Sequence, residues 1–365
     1  MRVVVVGAGI AGLSTAWALA RRGAEVTLLE QATIPNPLGA SGDQHRIIRR
    51  AYGGQGGYQR RIDEAYDAWD ELWDDLGQKH LIDTGFLLVS QEAGDEAERY
   101  RDGLVAGGYP FEEFSPQEAA LRHPYLDPAA IRFAAESAEG GVLLCRKIAV
   151  ALRSWFLARG IDIRENARVV AVDAMTGAVR LADGDAIEAD RIVVTAGAWV
   201  LDLLPELGGD LTTYRTAVAY LTPPEDLRQA WETSPVILDV GGKVDGYVLP
   251  PVAGTGLKVG SGLHKFKSRP DENRAVVPGE GEKVRDYFGP PFARIGDYAV
   301  SDVVTCAYTF TRDEHFFVRA QGRLVAVSAC SGHGYKFGAA VGRRIADGLL
   351  GGDLDAMRAW IEARD

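Results

Sequence analysis

The chain begins with a short apolar run that leads directly into a glycine motif. Val3–Val6 is uniformly β-branched, as in a buried parallel strand, and Gly7, Gly9 and Gly12 follow it. The first glycine permits a sharp turn, the second lets backbone N–H groups approach a pyrophosphate, and the third lets the next helix pack closely. We predict that helix at Gly12–Arg22, with its positive N-terminal end directed at the phosphates.

An acidic residue follows at the distance expected for ribose binding. The next apolar run, Val26–Leu29, ends at Glu30. Its spacing from Gly12 is close to the roughly 20 residues that separate such glycines from the carboxylate that binds a ribose diol. Because strand, glycines, helix and acid occur in this order, the sequence predicts a bound dinucleotide.

The composition favours a small-molecule partner over a nucleic acid or a membrane. The chain has 365 residues, a formal net charge of −11 and 47% hydrophobic residues, enough for two domains with real cores. An acidic surface disfavours nucleic acids and anionic membranes as partners. The sequence contains no apolar run of about 20 residues, so we predict no membrane span. Cys145, Cys306 and Cys330 are too few and too scattered for a disulfide framework or a zinc site. We therefore expect a cytoplasmic protein without a metal.

The periodicity along the chain predicts a cofactor domain that a second domain interrupts. Tyr58–Leu76 has apolar residues at three- and four-residue steps and is predicted to be a helix, with Trp69 and Trp73 in the core. From Gly141 onward the pattern is again α/β, and Ala186–Thr195 is predicted as one strand.

The second domain is predicted from strands with alternating apolar residues, as in an antiparallel sheet. These strands are Val218–Leu221, Val236–Val240, Gly246–Leu249 and Leu257–Gly260. A polar, proline-containing stretch at Lys265–Pro278 comes after them, and Lys336–Leu349 is predicted as a helix. We assign residues 1–83, 141–215 and 305–365 to the cofactor domain, and residues 84–140 and 216–304 to the inserted domain.

Four segments beyond the glycine motif carry residues suited to chemistry. Arg46–Gly53 has arginines that could line a cofactor site or form a solvated basic patch. Cys306 is a lone cysteine, a residue that is often a small buried hydrophobe. Gly332–Phe337 places glycines before a helix N-terminus. Lys258 lies in the otherwise apolar strand Gly256–Gly260, where it could equally face solvent.

Taken together, these segments resemble the monomeric sarcosine oxidase family, a branch of amine-oxidising flavoenzymes with the D-amino-acid-oxidase fold. The stretches RIIRRAYG, GLKVG, CAYTFTRDEHF and SGHGYKF match the family's pattern almost letter by letter, in order and over nearly the whole chain. The resemblance implies an α/β fold in which a Rossmann-like FAD-binding domain carries an inserted substrate domain with an antiparallel or mixed sheet. We expect a monomer.

The resemblance implies FAD as the cofactor, attached covalently through Cys306 to the 8α-methyl group of the flavin. Arg46 matches the arginine against the flavin ring, and Gly332 and Gly334 match the loop that presents N–H groups to its pyrimidine edge. Small residues around Gly197 would let the backbone lie close to the cofactor. The cofactor-binding residues predicted besides these and the N-terminal glycines and Glu30 are Ile10, Ala11, Ser41, Val170 and Lys336.

The same resemblance implies a substrate carboxylate held by Arg49 and Lys336, two cations suited to charge-assisted hydrogen bonds. Lys258 matches the lysine near flavin atoms C4a and N5, where its charge would stabilise superoxide formed from O2. Tyr247 and Tyr308 match tyrosines of the substrate pocket. These five residues are the candidates for the catalytic site.

Two departures from the family pattern concern the pocket. The family's sarcosine-type members carry adjacent histidines before the RIIR stretch, whereas this chain has Ala40-Ser41-Gly42-Asp43-Gln44-His45. We expect the His45 side chain to point away from Arg46. The family also has a histidine four residues after the lysine, where this chain has Gly262, with His264 two residues further on. The pocket is therefore predicted to differ from a sarcosine site.

These residues predict an FAD-dependent amine oxidase that acts on a carboxylate-bearing secondary amino acid, N-alkylated or cyclic. The C–N bond would be oxidised to an imine and O2 reduced to H2O2. The nearest alternative is a flavin dehydrogenase that passes electrons to a quinone or an electron-transfer protein. A flavoprotein without turnover is disfavoured by Arg49, Lys258 and Lys336, and a nicotinamide-dependent dehydrogenase would have no use for Cys306.

Overall fold

The computed structural model describes residues 1–53, 55–328 and 330–364, so Gly54, Ala329 and the predicted domain end at Asp365 lie outside the described residues. Its strands, in chain order, are β1 (Arg2–Val6), β2 (Glu25–Leu29), β3 (Arg46–Arg49), β4 (Leu81–Ile82), β5 (Phe86–Ser90), β6 (Glu112–Phe114), β7 (Phe133–Ser137), β8 (Gly140–Leu143), β9 (Asp162–Arg164), β10 (Val169–Val172), β11 (Ala178–Leu181), β12 (Ala186–Glu188), β13 (Arg191–Val194), β14 (Thr212–Thr222), β15 (Val236–Asp239), β16 (Gly246–Leu249), β17 (Leu257–Lys267), β18 (Ala299–Phe310), β19 (Phe317–Gln321) and β20 (Leu324–Ser328). Its helices are α1 (Ile10–Arg21), α2 (Gly56–Leu76), α3 (Glu96–Gly107), α4 (Pro116–Arg122), α5 (Cys145–Ala158), α6 (Val200–Leu203), α7 (Arg228–Glu232), α8 (Glu280–Asp286), α9 (Gly338–Gly351) and α10 (Leu354–Glu362).

A six-stranded sheet, the cofactor sheet, has the strand order β19-β20-β13-β1-β2-β9. Its central strand β1 is buried and pairs in parallel with β2 and β13, and β19 is an antiparallel edge strand. Helices α1 and α9 pack together in the core beside this sheet. A parallel sheet flanked by helices is the doubly wound architecture that the glycine motif predicts.

The prediction of one strand at Ala186–Thr195 is wrong, because the segment forms β12 and β13 in two different sheets. β12 belongs to a three-stranded antiparallel sheet with β10 and β11. At Asp190 the backbone N–H donates to the carbonyl of Arg2, and the Asp190 carboxylate accepts from the Arg2 N–H at 2.7 Å. These bonds tie the chain to β1 and start the new strand.

An eight-stranded mixed sheet, the large sheet, has the order β18-β14-β17-β16-β15-β5-β7-β6. Its pairs are antiparallel except β15 with β5, so the expected antiparallel or mixed sheet is mixed. The predictions at Val218–Leu221 and Leu257–Gly260 are too short. β17 continues to Lys267 because its polar end pairs with β14, with Lys267 opposite Tyr214.

The two faces of the large sheet have different environments. Val248 and Val259 point into an apolar core that α8 also enters. Side chains point alternately to opposite faces along a strand, so Tyr247 and Lys258 lie on the other face. The alternating pattern of β16 and β17 therefore supplies one core face and one functional face.

The small sheet β3-β8-β4 carries the arginine segment, with Arg49 opposite Gly140 in β8. Two of the predicted domain boundaries, after 215 and after 304, fall inside β14 and β18, and the division into domains stays a prediction. Trp69 and Trp73 are buried and stack at 5.0 Å, as predicted for core residues.

Three predicted helices begin at other residues than the sequence indicates. α1 begins at Ile10 and α2 at Gly56, each two residues before the predicted start. The predicted Lys336–Leu349 is divided into a 3-10 turn at Tyr335–Phe337 and then α9. Within the described residues, no helix has both the length and the apolar character needed to cross a membrane.

Candidate active site

A cavity of about 390 Å³ opens beside the glycine motif. It is bounded by the loop after β1, the end of β2, the segment after β13 and the start of α9. The predicted cofactor residues that line it are Gly7, Gly9, Ile10, Ala11, Glu30, Ser41, Val170, Gly197 and Gly334. The structure thus brings together residues from both ends of the chain in one groove, which we call the first cavity.

Gly12 does not line the first cavity, but it permits the close turn that carries the glycine loop. A Cβ atom at this position would lie 1.8 Å from the carbonyl oxygen of Gly7. Gly7 itself has a φ of 98°, in the region that favours glycine. Both glycines are therefore needed for the close turn between β1 and α1.

Glu30 supports the glycine loop from the end of β2. Its carboxylate accepts hydrogen bonds from the Ala8 N–H at 2.8 Å, the Ala32 N–H at 3.1 Å and the Asn36 side-chain amide at 2.9 Å. A carboxylate has about four acceptor sites, so one remains for a ribose hydroxyl. The predicted ribose contact stays a prediction, whereas the role in holding the loop was missed.

A second cavity, of about 710 Å³, lies next to the first. Tyr308 and Tyr335 line both cavities. The predicted residues that line the second cavity are Arg46, Arg49, Tyr247, Tyr308, Gly332 and Lys336. Gly332 and Lys336, predicted as cofactor residues, are therefore found on the second cavity and not on the first.

Arg49 and Lys336 are brought together at this second cavity. Arg49 is 4% exposed and Lys336 5% exposed. The Arg49 guanidinium lies over the ring of Tyr52 at 4.3 Å, and the Lys336 ammonium lies 5.7 Å from the same ring. Burial and the Arg49 charge hold the pKa of Lys336 well below its usual range. Two buried cations at such close range make a strong anion site.

The Arg49 side chain is incompletely hydrogen-bonded. Its Nη2 donates to the Tyr100 hydroxyl at 3.2 Å. Its Nε and Nη1 have no hydrogen-bond partner among the residues that the structure describes. Buried charged donors are normally satisfied, so the N–H groups of these two nitrogens are available for a ligand.

Lys258 is fully buried, which excludes the solvent-facing alternative. Its ammonium donates to the Asp43 carboxylate at 2.9 Å and to the His45 carbonyl at 2.7 Å. Burial lowers the pKa of Lys258, and the nearby charge of Arg46 lowers it further. Lys258 lines neither cavity.

Asp43 organises this buried cluster, a role that no sequence pattern predicted. It also accepts from the Arg46 guanidinium at 2.7 Å and from the Tyr220 hydroxyl at 2.5 Å. Burial by itself would raise the pKa of Asp43, but the charges of Lys258 and Arg46 hold it well below its usual range. The arginine segment is thus not a solvated patch, because Arg46 is engaged with Asp43.

Cys306 lies in β18, opposite Thr216 of β14, and is 2% exposed. It lines neither cavity, although its neighbours Ala307 and Tyr308 line the first one. A second cysteine, Cys330, does line the first cavity. Covalent attachment through Cys306 therefore stays a prediction.

This chain has Gly262 at the position where the family pattern has a histidine. Gly262 lines the second cavity, and the carboxylate of Asp245 lies against it. His264 cannot substitute, because its Nε2 bonds Glu280 at 2.8 Å and it lines neither cavity. Sequence reasoning missed four residues of the second cavity: Tyr52 in the RIIRRAYG stretch, Tyr100 in α3, Asp239 at the end of β15 and Asp245 in the loop before β16.

The sequence matches a family described as "FAD dependent oxidoreductase" over residues 2–348. It is 27% identical to monomeric sarcosine oxidase of Bacillus sp. (strain B-0618), over 97% of this chain and 93% of that one. It is 29% identical to human peroxisomal sarcosine oxidase, over 93% and 90% of the two chains. N-methyl-L-tryptophan oxidase of Yersinia pestis is 22% identical, over 93% and 92%.

Solved structures share the fold. L-proline dehydrogenase from P. horikoshii superposes with a TM-score of 0.82 at 19% identity, covering 99% of this chain and 96% of that one. Fructosamine oxidase from Aspergillus fumigatus has a TM-score of 0.83 at 21% identity, covering 100% and 89%.

The residues present fit the cofactor of this family. The first cavity has a glycine loop in which added Cβ atoms would clash, a helix that begins at Ile10 and the Glu30 carboxylate beside it. These are the groups that hold a dinucleotide. The chain belongs to the FAD-dependent oxidoreductase family, in its sarcosine-oxidase-like group of amine-oxidising flavoenzymes, and is an oxidoreductase that acts on CH–NH donors.

Proposed function

We propose that the protein is an oxidase of carboxylate-bearing secondary amino acids, N-alkylated or cyclic, that forms an imine and reduces O2 to H2O2. The observation that carries this proposal is the buried Arg49 guanidinium beside Lys336, whose Nε and Nη1 have no partner in the part of the chain that the structure describes. Both residues line the second cavity, which shares Tyr308 and Tyr335 with the first cavity.

The relatives support a secondary amine as the substrate. Two of them are named as sarcosine oxidases and a third as an N-methyl-L-tryptophan oxidase. A site that takes an N-alkyl amino acid is consistent with the carboxylate clamp. Asp245 lies at the position where the sarcosine-type pattern has a histidine, so we do not assign sarcosine itself.

FAD, when bound, accepts two electrons from the substrate and transfers them to O2. In this chain the glycine loop, Glu30 and Ser41 would hold its adenosine and pyrophosphate end. We propose that Cys306 would hold the flavin covalently, since a thiolate is a strong nucleophile. The new C–S bond would replace the cysteine S–H bond and one C–H bond of the flavin's methyl group, and the two electrons and two protons released would be taken up by O2 as H2O2.

Arg49 and Lys336 would bind the carboxylate and fix the substrate above the wall formed by Tyr308 and Tyr335. Binding an anion relieves the repulsion between the two cations and returns the pKa of Lys336 toward its usual range. The Tyr52 ring and the Tyr100 hydroxyl hold Arg49 in place. The carboxylate therefore orients the C–N bond without any contribution from a side-chain base.

A neutral substrate amine needs no strong base for the oxidation. Loss of two electrons and two protons from the CH–NH unit gives the imine, and water then adds to the imine carbon and releases the amine and a carbonyl compound. O2 takes up the two electrons and two protons as H2O2, so the overall reaction is balanced.

Lys258 would supply positive charge close to the site of O2 reduction. It uses two of its three N–H donors in bonds to Asp43 and His45, so one donor remains. A fixed positive charge favours the formation of negative charge on O2.

A second candidate function rests on the same cluster. Asp43 forms an ion pair with Lys258 at 2.9 Å, and Lys258 lines neither cavity. Both facts would weaken the stabilisation of reduced O2 and favour a dehydrogenase that passes electrons to a quinone or an electron-transfer protein.

One assay separates these candidates and tests the proposal. FAD-loaded enzyme is supplied with a panel of secondary amino acids in air, and H2O2 release and reduction of an artificial quinone are measured in parallel. The proposal expects H2O2 in a one-to-one ratio with the oxidised amine. Turnover with quinone but without H2O2 would establish the dehydrogenase instead, and no turnover with any secondary amino acid would contradict both.

A further inference from the structure

The functional face of the large sheet carries two carboxylates far from Lys258. Along β17, Lys258, Gly260 and Gly262 point to the same face, and Tyr247 lies over Gly260. The Gly262 N–H donates to the Asp245 carbonyl at 2.8 Å, so Asp245 lies opposite Gly262. Four residues of strand at 3.3 Å each put this point about 13 Å from Lys258.

The Asp245 carboxylate occupies space that only a glycine at 262 leaves free. A Cβ atom at Gly262 would lie 1.7 Å from Asp245 Oδ2. Both residues line the second cavity. At the place where the family pattern has a histidine side chain, this chain therefore presents an acidic group.

A second acidic side chain lines the same end of the cavity. Asp239 ends β15, is 4% exposed and accepts the Gly241 N–H at 2.6 Å through one oxygen. Burial raises the pKa of Asp239 to about 8, and the charges of Asp245 and Glu96 add to this effect. Asp245 is exposed, and desolvation within the cavity raises its pKa to about 6 against the opposing charge of Lys265. The buried Asp239 carboxyl in particular is destabilised as an anion in the absence of a cation.

The cations around this end of the cavity are largely paired elsewhere. Arg99 bonds Glu96 at 2.6 Å, and Lys265 lies 3.8 Å from Glu314 as well as near Asp245. Lys243 also lines the cavity and is exposed. Asp239 thus lacks an ion-pair partner among the described residues.

We propose that Asp245 and Asp239 make this enzyme select substrates with a second positively charged nitrogen, distal to the carboxylate and separate from the amine that is oxidised. The proposal rests on the proposed function, because it requires that Arg49 and Lys336 hold the other end of the substrate. The independent evidence for a ligand in this cavity is Arg49, which is buried and whose Nε and Nη1 have no partner among the described residues. Tyr100, which bonds Arg49, lines the same cavity as Asp239, so the two ends belong to one site.

The test compares pairs of ligands that differ in a single charged group. FAD-loaded enzyme is titrated with pentanoate, hexanoate and octanoate, and with the matching 5-aminopentanoate, 6-aminohexanoate and 8-aminooctanoate, while the flavin absorbance is followed. At the chain length that spans the cavity, the ammonium should strengthen binding roughly 10- to 100-fold, as expected for hydrogen bonds to charged groups.

Two variants assign the effect to Asp245. Asp245 has a φ of 45°, which asparagine tolerates better than most residues, so Asp245→Asn keeps the backbone and removes the charge. This variant should lose most of the ammonium preference while binding the alkyl acids no more weakly. Gly262→Ala should reduce the preference with the charge retained, because the new methyl group displaces the carboxylate.

The matched control is Glu188→Gln in β12, an exposed residue that lines neither cavity. It removes the same charge and should keep the full preference. An ammonium advantage that is absent in wild-type protein, or that Asp245→Asn retains, overturns the inference and leaves the proposed function standing. If no alkyl acid binds at all, the carboxylate site and the proposed function fail, and the inference fails with them.

Discussion

Three cations near the candidate site have different partners, and the partner decides what each can do. Arg46 and Lys258 share the Asp43 carboxylate, whereas Arg49 Nε and Nη1 have no partner among the described residues. The first two form an ion-paired cluster in which one carboxylate serves two cations. Arg49 remains available to an anion, and the predictions at the scale of single residues follow from this difference.

Arg49→Ala should weaken the binding of a carboxylate inhibitor about 30- to 150-fold, or roughly 2–3 kcal/mol, because a charge-assisted contact is lost. Arg49→Lys should restore part of the affinity, since lysine keeps the charge but not the planar fork. Titration of the flavin absorbance measures both. Unchanged affinity in Arg49→Ala with FAD still bound would remove the carboxylate from the substrate description.

Lys258→Met should slow the reaction of reduced enzyme with O2 far more than it slows reduction by the substrate. Loss of one charge near the developing negative charge on O2 costs about 3–4 kcal/mol by analogy with the loss of one oxyanion donor. Asp43 retains Arg46 and Tyr220 as partners, so the variant should still fold. Stopped-flow measurement of both half-reactions is decisive, and equal slowing of the two would make Lys258 a structural residue.

Asp239 predicts a pH-dependent stability. Its pKa is raised to about 8 in the folded protein by burial and by the neighbouring Asp245, Glu96 and Asp95. The folded state therefore binds more protons than the unfolded state between about pH 4 and pH 8, and this group lowers the free energy of unfolding as the pH rises through that window.

Asp239→Asn removes this penalty and can still accept the Gly241 N–H. Its free energy of unfolding, relative to wild-type protein, should rise from pH 5 to pH 8.5 by an amount on the order of a few kcal/mol at most. Denaturant unfolding at the two pH values measures it. A difference between the two proteins that does not change with pH would contradict the raised pKa.

At the scale of elements, β18 places two functional candidates on one strand. Cys306 and Tyr308 are two residues apart and so share a face, but only Tyr308 lines a cavity. Cys330, which follows β20 in the chain, lines the first cavity directly. The structure therefore offers two thiols, and the attachment site can be tested by comparing them.

Denaturing gel electrophoresis of FAD-loaded protein should show flavin fluorescence in the protein band. Cys306→Ser should abolish this fluorescence, and Cys330→Ser should keep it. The assignment to Cys306 would be wrong if the fluorescence were lost only in Cys330→Ser, or if wild-type protein released all of its flavin.

The sequence predicted the elements whose signals are local. The turn at Gly7 and the core stripe of α2 depend on residues within a few positions, and both are found as predicted. The polar end of β17 was missed because its pairing with β14 stabilises it, and Ala186–Thr195 was read as one strand because its break depends on contacts with Arg2. In both segments, pairing with a distant part of the chain determines where the strand ends.

The same distinction applies to the candidate site. Arg49, Lys336 and Tyr308 were named from three separate sequence motifs, and all three line the second cavity. Asp43 and Asp245 could not be predicted, because a carboxylate in a loop has no periodic signal. Lys258, the partner of Asp43, is 215 residues away in the chain, and the contact of Asp245 with Gly262 depends on the pairing of β16 with β17.

At the scale of the whole molecule, the first cavity lies beside the cofactor sheet and the second is lined by residues of the large sheet. Tyr308 and Tyr335 line both cavities. The first cavity draws on residues from Val6 to Val341, so FAD binding would tie the ends of the chain together. FAD should therefore raise the thermal stability of the whole protein, because a ligand that binds the folded state alone stabilises it. A monomer in the cytoplasm remains the prediction for its state and place.

The central claim is that the carboxylate of a secondary amino acid directs its C–N bond to the flavin. Anaerobic mixing of FAD-loaded enzyme with a secondary amino acid, and separately with the same amine lacking the carboxylate, tests it directly through the flavin absorbance. The account predicts rapid bleaching by the amino acid, much slower bleaching by the amine, and recovery of the absorbance with one equivalent of H2O2 when air is admitted. Equal bleaching by both compounds, or none by any secondary amino acid, would contradict it.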